Sequence, residues 1–129
     1  MVLLLVFSVP VLSSAMADTL RTCLEKEQSA VLEPFLNGKI MMAFNGPVKH
    51  SGTVTGREAR ALFMRIFAGY DTLRVREAYS NQTQGNAFIA FDWTIRESDS
   101  GKEACFRLFF TLKKEAGAFR LIKIQSLPK

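Results

Sequence analysis

The sequence predicts an α+β fold in which a curved antiparallel sheet packs on two helices. Three observations lead to this prediction. A strongly periodic helix follows a capping motif in the first half of the chain, four segments of alternating apolar and polar residues come after it, and short stretches of turn-forming residues separate those segments. Because short turns join neighbouring strands antiparallel, and amphipathic helices need an apolar partner layer, the predicted order is α-β-β-α-β-β-β-β.

The N-terminus has the form of a secretory signal peptide. An uncharged apolar run from Met1 to Leu12 is followed by small residues, and Ala15-Met16-Ala17 matches a cleavage site. Residues 1–17 are therefore predicted to be a leader and residues 18–129 one exported domain, periplasmic or extracellular. The apolar run is shorter than the roughly 20 residues of a spanning helix, so no transmembrane segment is expected after cleavage. No Lys or Arg follows Met1, so the positive n-region of a leader is missing, which a true start codon slightly upstream would explain. An uncleaved N-terminal anchor is the alternative.

The domain is predicted to begin with a helix and a β-hairpin. Asp18 is a suitable N-cap for a helix that ends at Leu36, before Asn37-Gly38. Its apolar residues recur at helical spacing and are Leu20, Cys23 or Leu24, Val31 and Phe35. Two strands follow at Lys39–Phe44 and Val48–Val54, with Asn45-Gly46 as a strong hairpin signal between them.

The second helix has the clearest signature of the chain. Thr55-Gly56-Arg57-Glu58 is a capping box, in which the Thr hydroxyl and the Glu carboxylate each accept a backbone N–H of the other residue. The apolar residues behind it are spaced i, i+3, i+4, i+7 and i+8, and they are Ala59, Leu62, Phe63, Ile66 and Phe67. A helix from Gly56 to Ala68 is therefore predicted, with its phenylalanines in the core.

Four alternating segments predict the remaining strands. They are Thr72–Tyr79, Asn86–Arg96, Ala104–Lys113 and Ala118–Leu127. In the third of these, one face carries the residues that we expect in the core, namely Phe106, Leu108, Phe110 and Leu112. Cys105 and Arg107 belong to the opposite face.

These motifs resemble the nuclear transport factor 2-like superfamily, which has a cone-shaped, cystatin-like α+β fold. The resemblance covers about Val31 to Ser126 and is more narrowly to a small exported bacterial family of unknown function. It rests on Gly38-Lys39-Ile40, on the helix TGREARALFMRIF, and on the ending GKEACFRLFFTLKKEAGAFRLIKIQS. The resemblance implies the fold and export rather than a particular chemistry, because members of the superfamily include isomerases, dehydratases and ligand-binding proteins.

An enzyme on this fold would need an acid and a base inside the cone. Asp92 lies in an aromatic strand, where burial would raise its pKa and make it a general base. Tyr79 could then donate to a developing oxyanion, as in isomerases of this superfamily. The structural alternative is an Asp92 that faces solvent or pairs with Arg107 across the strands, and this is the favoured interpretation. The only histidine, His50, follows the hairpin turn and is expected to be solvated.

Cys23 and Cys105 are the only cysteines. An exported chain with an even cysteine count permits one disulfide, and two buried free thiols are the alternative. A bridge would require Cys105 to reach the helix that contains Cys23, although it belongs to the face of its strand opposite the predicted core. Two cysteines and one histidine at this spacing do not predict a metal site, and no cofactor motif is present.

The last two strands are rich in cations and phenylalanines, in a chain of net charge +5. Such mixtures occur in nucleic-acid platforms, but here the cations alternate with core residues, as in a sheet with one solvated face, and the leader places the chain away from nucleic acid. The sequence therefore predicts a non-enzymatic domain for ligand binding or protein interaction in the cell envelope. The candidate partners are a small apolar ligand in the cone and a second copy that docks on the exposed sheet face. The alternative is a ketosteroid-isomerase-like enzyme that uses Asp92 and Tyr79.

Overall fold

A computed structural model describes residues 15–129, so residues 1–14 of the predicted leader lie outside the described residues. Helix α1 covers residues 15–25, and a 3-10 helix follows at Ser29–Phe35. The other elements are β1 (Lys39–Asn45), β2 (Lys49–Thr55), α2 (Gly56–Gly69), β3 (Tyr70–Gln82), β4 (Asn86–Glu97), β5 (Glu103–Glu115) and β6 (Ala118–Pro128). The α+β class is confirmed, and the predicted order holds except at the first helix.

The six strands form one sheet in the order β2-β1-β6-β5-β4-β3. Strands that a short turn connects pair antiparallel, as predicted. The sheet is mostly antiparallel, as predicted, and the exception is β1, which pairs with β6 in parallel, with Met41 opposite Lys123. Turn chemistry determines only the pairing of strands adjacent in sequence, and β1 and β6 are separated by most of the chain.

The predicted helix Asp18–Leu36 is interrupted. The backbone of Glu27 has φ 54°, and the Gln28 N–H donates to the Cys23 carbonyl at 3.0 Å, which is the hydrogen bond that closes a Schellman motif. Glu27 is held there because its carboxylate accepts the backbone N–H of Thr72 at the start of β3, at 3.0 Å. Helix α1 therefore ends in a tertiary contact without the usual glycine. Asp18 is not an N-cap, because residues 15–17 are already helical.

Helix α2 and its capping box are confirmed. The Thr55 hydroxyl accepts the Glu58 N–H at 3.2 Å, and the Glu58 carboxylate accepts the Thr55 N–H at 3.0 Å. The apolar stripe of α2 packs on the inner face of the sheet, where Phe63 makes an edge-on contact with Phe44. The packing of this stripe therefore identifies the inner face as the side of the sheet that the helices cover.

The inner face of the sheet, covered by α1 and α2, is filled by core side chains. The largest of them are Trp93, Phe63, Phe91 and Phe110, each fully buried. The predicted core residues of β5 are all buried here, namely Phe106, Leu108, Phe110 and Leu112. The opposite side of the sheet, called the outer face below, is not covered by any element of residues 15–129. In that same range no helix is long and apolar enough to cross a membrane.

Candidate functional site

The strand register brings Asp92 and its neighbours together on the outer face. Asp92 of β4 lies opposite Arg107 of β5 and opposite Arg76 of β3. The predicted cross-strand pair is present: Arg107 Nε lies 2.8 Å from Asp92 Oδ1, and Arg107 Nη2 lies 3.1 Å from Oδ2. Lys129 adds a third contact, with its Nζ 2.6 Å from Oδ2. Both carboxylate oxygens of Asp92 are therefore in contact with cations.

These contacts set the charge of Asp92. The pKa of Asp92 is lowered from 3.8 to about 2, chiefly by the hydrogen bond from Arg107. Partial burial of the carboxylate raises the pKa, and the contact with Lys129 lowers it further. A general base of the isomerase type would instead need a raised pKa. The geometry makes Asp92 a carboxylate that is charged at neutral pH and orients Arg107 and Lys129.

Two further arginines extend the positive charge on the edge strand β3. Arg76 lies beside Asp92, and Arg74 lies opposite Thr94 on the same face. Both side chains are exposed, and neither forms an ion pair with a carboxylate of residues 15–129. We call Arg74, Arg76, Arg107 and Lys129, together with Asp92, the cation cluster. Four cations surround one carboxylate, so the cluster has a positive excess.

An aromatic patch adjoins the cation cluster. It consists of Tyr79, Phe88 and Phe109 around Ala90, with Tyr79 and Phe109 opposite Ala90 in the register of the sheet. Tyr79 is 54% exposed and Phe88 is 40% exposed, whereas Ala90 is buried beneath its neighbours. The patch forms a shallow depression of about 370 Å³. Tyr79 and Asp92 thus lie in neighbouring rows of an open surface.

His50 lies away from this face. It is half-buried on β2 opposite Phe44 and lines a cleft of about 320 Å³ between β2 and α2. The floor of the cleft is apolar, with Met42 and Leu62, and its rim carries Arg65 and the capping residue Glu58. The pKa of Glu58 is lowered, first by the hydrogen bonds with Thr55 and to a smaller extent by His50. Sequence spacing did not reveal this cleft, because β2 and α2 meet only through the fold.

The two cysteines are free and lie on opposite sides of the sheet. Cys23 is fully buried in α1, and burial raises the pKa of its thiol to about 12. Cys105 is half-buried on the outer face, opposite Thr94, whose hydroxyl donates to its sulfur at 3.5 Å. The sheet separates the two side chains, so the structure does not join them. Within residues 15–129, no group of three or more His, Cys, Asp or Glu side chains could hold a metal ion.

Sequence reasoning found Asp92, Arg107 and Tyr79 but not the other cations of the cluster. The alternation of Arg74 and Arg76 with Leu73 and Val75 already placed both arginines on one face of β3. Their position beside Asp92 depends on two register shifts between β3 and β4, which a sequence pattern does not reveal.

Comparison with known proteins supports the fold. No protein-family model matches the sequence, and no curated protein does. Among solved structures, a DUF4783 family protein from Bacteroides uniformis is similar at a TM-score of 0.74 and 12% identity, covering 87% of this chain and 95% of that one. An NTF2-like protein from Cytophaga hutchinsonii is similar at a TM-score of 0.65 and 13% identity, covering 95% and 98%.

A ketosteroid isomerase-like protein from Erwinia carotovora atroseptica is also similar, at a TM-score of 0.67 and 16% identity, covering 88% of this chain and 91% of that one. At these identities the similarity establishes the fold and leaves the activity open. The chain has the nuclear transport factor 2-like fold that its motifs resemble.

Proposed function

We propose that this nuclear transport factor 2-like domain is an exported, non-enzymatic binding domain of the cell envelope, and that it engages its partner through the outer face of its sheet. The observation that carries the proposal is the aromatic patch. Tyr79 and Phe88 expose large apolar surfaces on a strand framework, while comparable side chains on the inner face are buried. Exposed aromatic patches on an ordered surface are typical of interaction sites.

The geometry of Asp92 supports a binding role over acid–base chemistry. Its carboxylate is occupied by Arg107 and Lys129, and its pKa is lowered to about 2. A ketosteroid-isomerase-like reaction would require Asp92 to accept a proton from a substrate held beside Tyr79. We expect the purified domain to be inactive on small ketosteroid and enone substrates, and turnover that Asp92→Asn abolishes would replace the binding proposal with the enzymatic one.

Export rests on the leader. In cells that express the full chain with a C-terminal tag, we expect the protein outside the cytosol, with Asp18 as its first residue by N-terminal sequencing. A cytosolic protein that retains residues 1–17 would contradict the export half of the proposal.

Binding through the outer face can be tested with isolated envelope fragments. The purified mature domain should sediment with them, and the double variant Tyr79→Ser/Phe88→Ser should lose most of this binding, because it removes the exposed aromatic surface. Met64→Ser is the matched control, since Met64 is an exposed apolar residue of α2 on the far side of the sheet. Equal binding by all three proteins would refute a role for the patch.

A second copy of the chain is the competing partner for the same face. Sedimentation velocity across a concentration series distinguishes the two. We expect a monomer, because an isologous contact through this face would bring two positive clusters together. A dimer that the double patch variant dissociates would assign the face to self-association instead.

The cleft between β2 and α2 is the candidate site for a small apolar ligand. Its apolar floor and charged rim are the composition of an amphipathic ligand site. Native mass spectrometry of the purified domain should detect a small molecule, and Leu62→Trp should displace it by filling the cleft. A ligand that Leu62→Trp retains would place the site elsewhere.

A further inference from the structure

The geometry points to an acidic polysaccharide as the partner of the outer face, an inference that rests on the proposed binding function and names its ligand class. Acidic groups of the polymer would contact Arg74 and Arg76, and its sugar rings would lie against the aromatic patch. Three features of the outer face lead to this partner: the charge excess, the distance between cations and rings, and the shape of the patch.

The charge of the cation cluster favours an anion. Asp92 neutralises part of the charge of Arg107 and Lys129, which it contacts at 2.6–3.1 Å. Arg74 and Arg76 have no such partner among the described carboxylates, so their guanidinium groups are available to a ligand. A guanidinium group can bind a carboxylate or sulfate through two parallel hydrogen bonds, which gives direction as well as charge.

The spacing between cations and rings fits a sugar polymer. The row that contains Arg76 and Asp92 adjoins the row that contains Tyr79, Ala90 and Phe109. Successive same-face positions of a strand are roughly 7 Å apart, so one acidic sugar residue, or two neighbouring ones, can contact both rows at once. Because both groups project from paired strands, the polymer would meet a surface that is already ordered, which limits the entropic cost of binding.

The shape of the patch distinguishes this ligand from other anionic surfaces. The rings border a depression of about 370 Å³, which can receive a ring, whereas a bilayer surface is engaged by apolar side chains that protrude into it. A second copy of the chain would oppose like charges. Single-stranded nucleic acid could satisfy the same groups, but the export that we propose would keep the domain away from it. Anionic vesicles and single-stranded DNA are therefore included as comparison ligands in the test.

The test uses the mature domain and polygalacturonate, with neutral dextran, anionic phosphatidylglycerol vesicles and single-stranded DNA as comparison ligands. We expect binding to polygalacturonate and none to dextran, and a loss of affinity of about tenfold between low and moderate salt, because counterions compete for the cations. The variant Arg74→Ala/Arg76→Ala should lose about tenfold or more in affinity, whereas Arg74→Lys/Arg76→Lys should retain most of it.

The matched control is Lys26→Ala/Arg57→Ala, which removes the same charge from exposed positions on the helix side of the sheet, outside the cleft between β2 and α2. All three double variants alter exposed side chains, and thermal unfolding verifies that each is folded. An equal loss in the control variant would show a bulk charge effect and overturn the inference, as would binding to dextran or a preference for vesicles or DNA. If the inference fails while envelope fragments are still bound through Tyr79 and Phe88, the proposed function stands with another partner.

Discussion

Replacing Arg107 with Met should raise the pKa of Asp92 and remove a pH-dependent part of the stability. In the folded protein the pKa of Asp92 is lowered from 3.8 to about 2, chiefly by the hydrogen bond from Arg107. A lowered folded-state pKa favours the ionised, folded form above pH 4. That contribution is therefore present at neutral pH and is lost as the pH falls from about 4 to about 2.

The magnitude follows from the size of this shift. Since one pKa unit corresponds to about 1.4 kcal/mol, a shift from 3.8 to about 2 means that the interactions of Asp92 contribute at most about 2.5 kcal/mol to the free energy of unfolding. The Asp92 side chain is only 12% exposed, but Arg107 and Lys129 are 40% and 47% exposed, so solvent screens the interaction. We therefore expect Arg107→Met to lower the free energy of unfolding by about 1 kcal/mol at pH 7 and by much less at pH 2.

Urea unfolding at pH 7, 4 and 2 measures the stability, and ¹³C NMR of the Asp92 carboxyl carbon measures the pKa. Arg96→Met is the matched control, because Arg96 meets Asp71 on the same face at 3.9 Å and both side chains are about half exposed. This control should change stability little at any pH. A wild-type Asp92 that titrates above pH 3.8, or a pKa that Arg107→Met does not raise, would refute the assignment of Asp92 as a charged anchor.

Three further predictions concern the core, the cap and the thiols. Leu108→Ala should lower the free energy of unfolding by about 2–5 kcal/mol in urea, because Leu108 is fully buried, while the part-exposed Leu73→Ala should cost clearly less; equal losses would contradict the core assignment. Thr55→Ala should cost about 1 kcal/mol in the same assay by removing the cap of α2, and no loss would contradict a stabilising capping box. Without reductant, a thiol reagent should label Cys105 in the native domain and Cys23 only in denaturant, since Cys23 is buried with a raised pKa; a native mass 2 Da lower without reductant would instead reveal the bridge.

The elements with local signals were predicted closely. Helix α2 begins at the predicted Gly56 and ends one residue later than predicted, because a capping box and an apolar stripe depend only on neighbouring residues. The alternation in β5 correctly assigned Leu108 to the core and Arg107 to the outer face, since the side-chain period of a strand is two.

The first helix shows where local pattern is insufficient. Its apolar spacing continues past Glu27, yet α1 ends at residue 25, and Glu27 follows in a left-handed conformation with its carboxylate bound to the Thr72 amide of β3. That contact joins residues far apart in sequence, so no window of helical periodicity contains it. A glycine at position 27 would have predicted the end of the helix, but the sequence has glutamate there.

The sequence by itself determined the α+β class, the strand segments and the two faces of β4 and β5, because periodicity, turn chemistry and capping act over a few residues. Only the tertiary structure decided that β1 lies beside β6, that Arg74 and Arg76 of β3 join Asp92 and Arg107, and that a cleft forms between β2 and α2. The physical reason is that the register and order of strands depend on how the whole apolar surface is buried. The candidate binding surface is built from that register, with side chains from β3, β4 and β5 and the C-terminal Lys129.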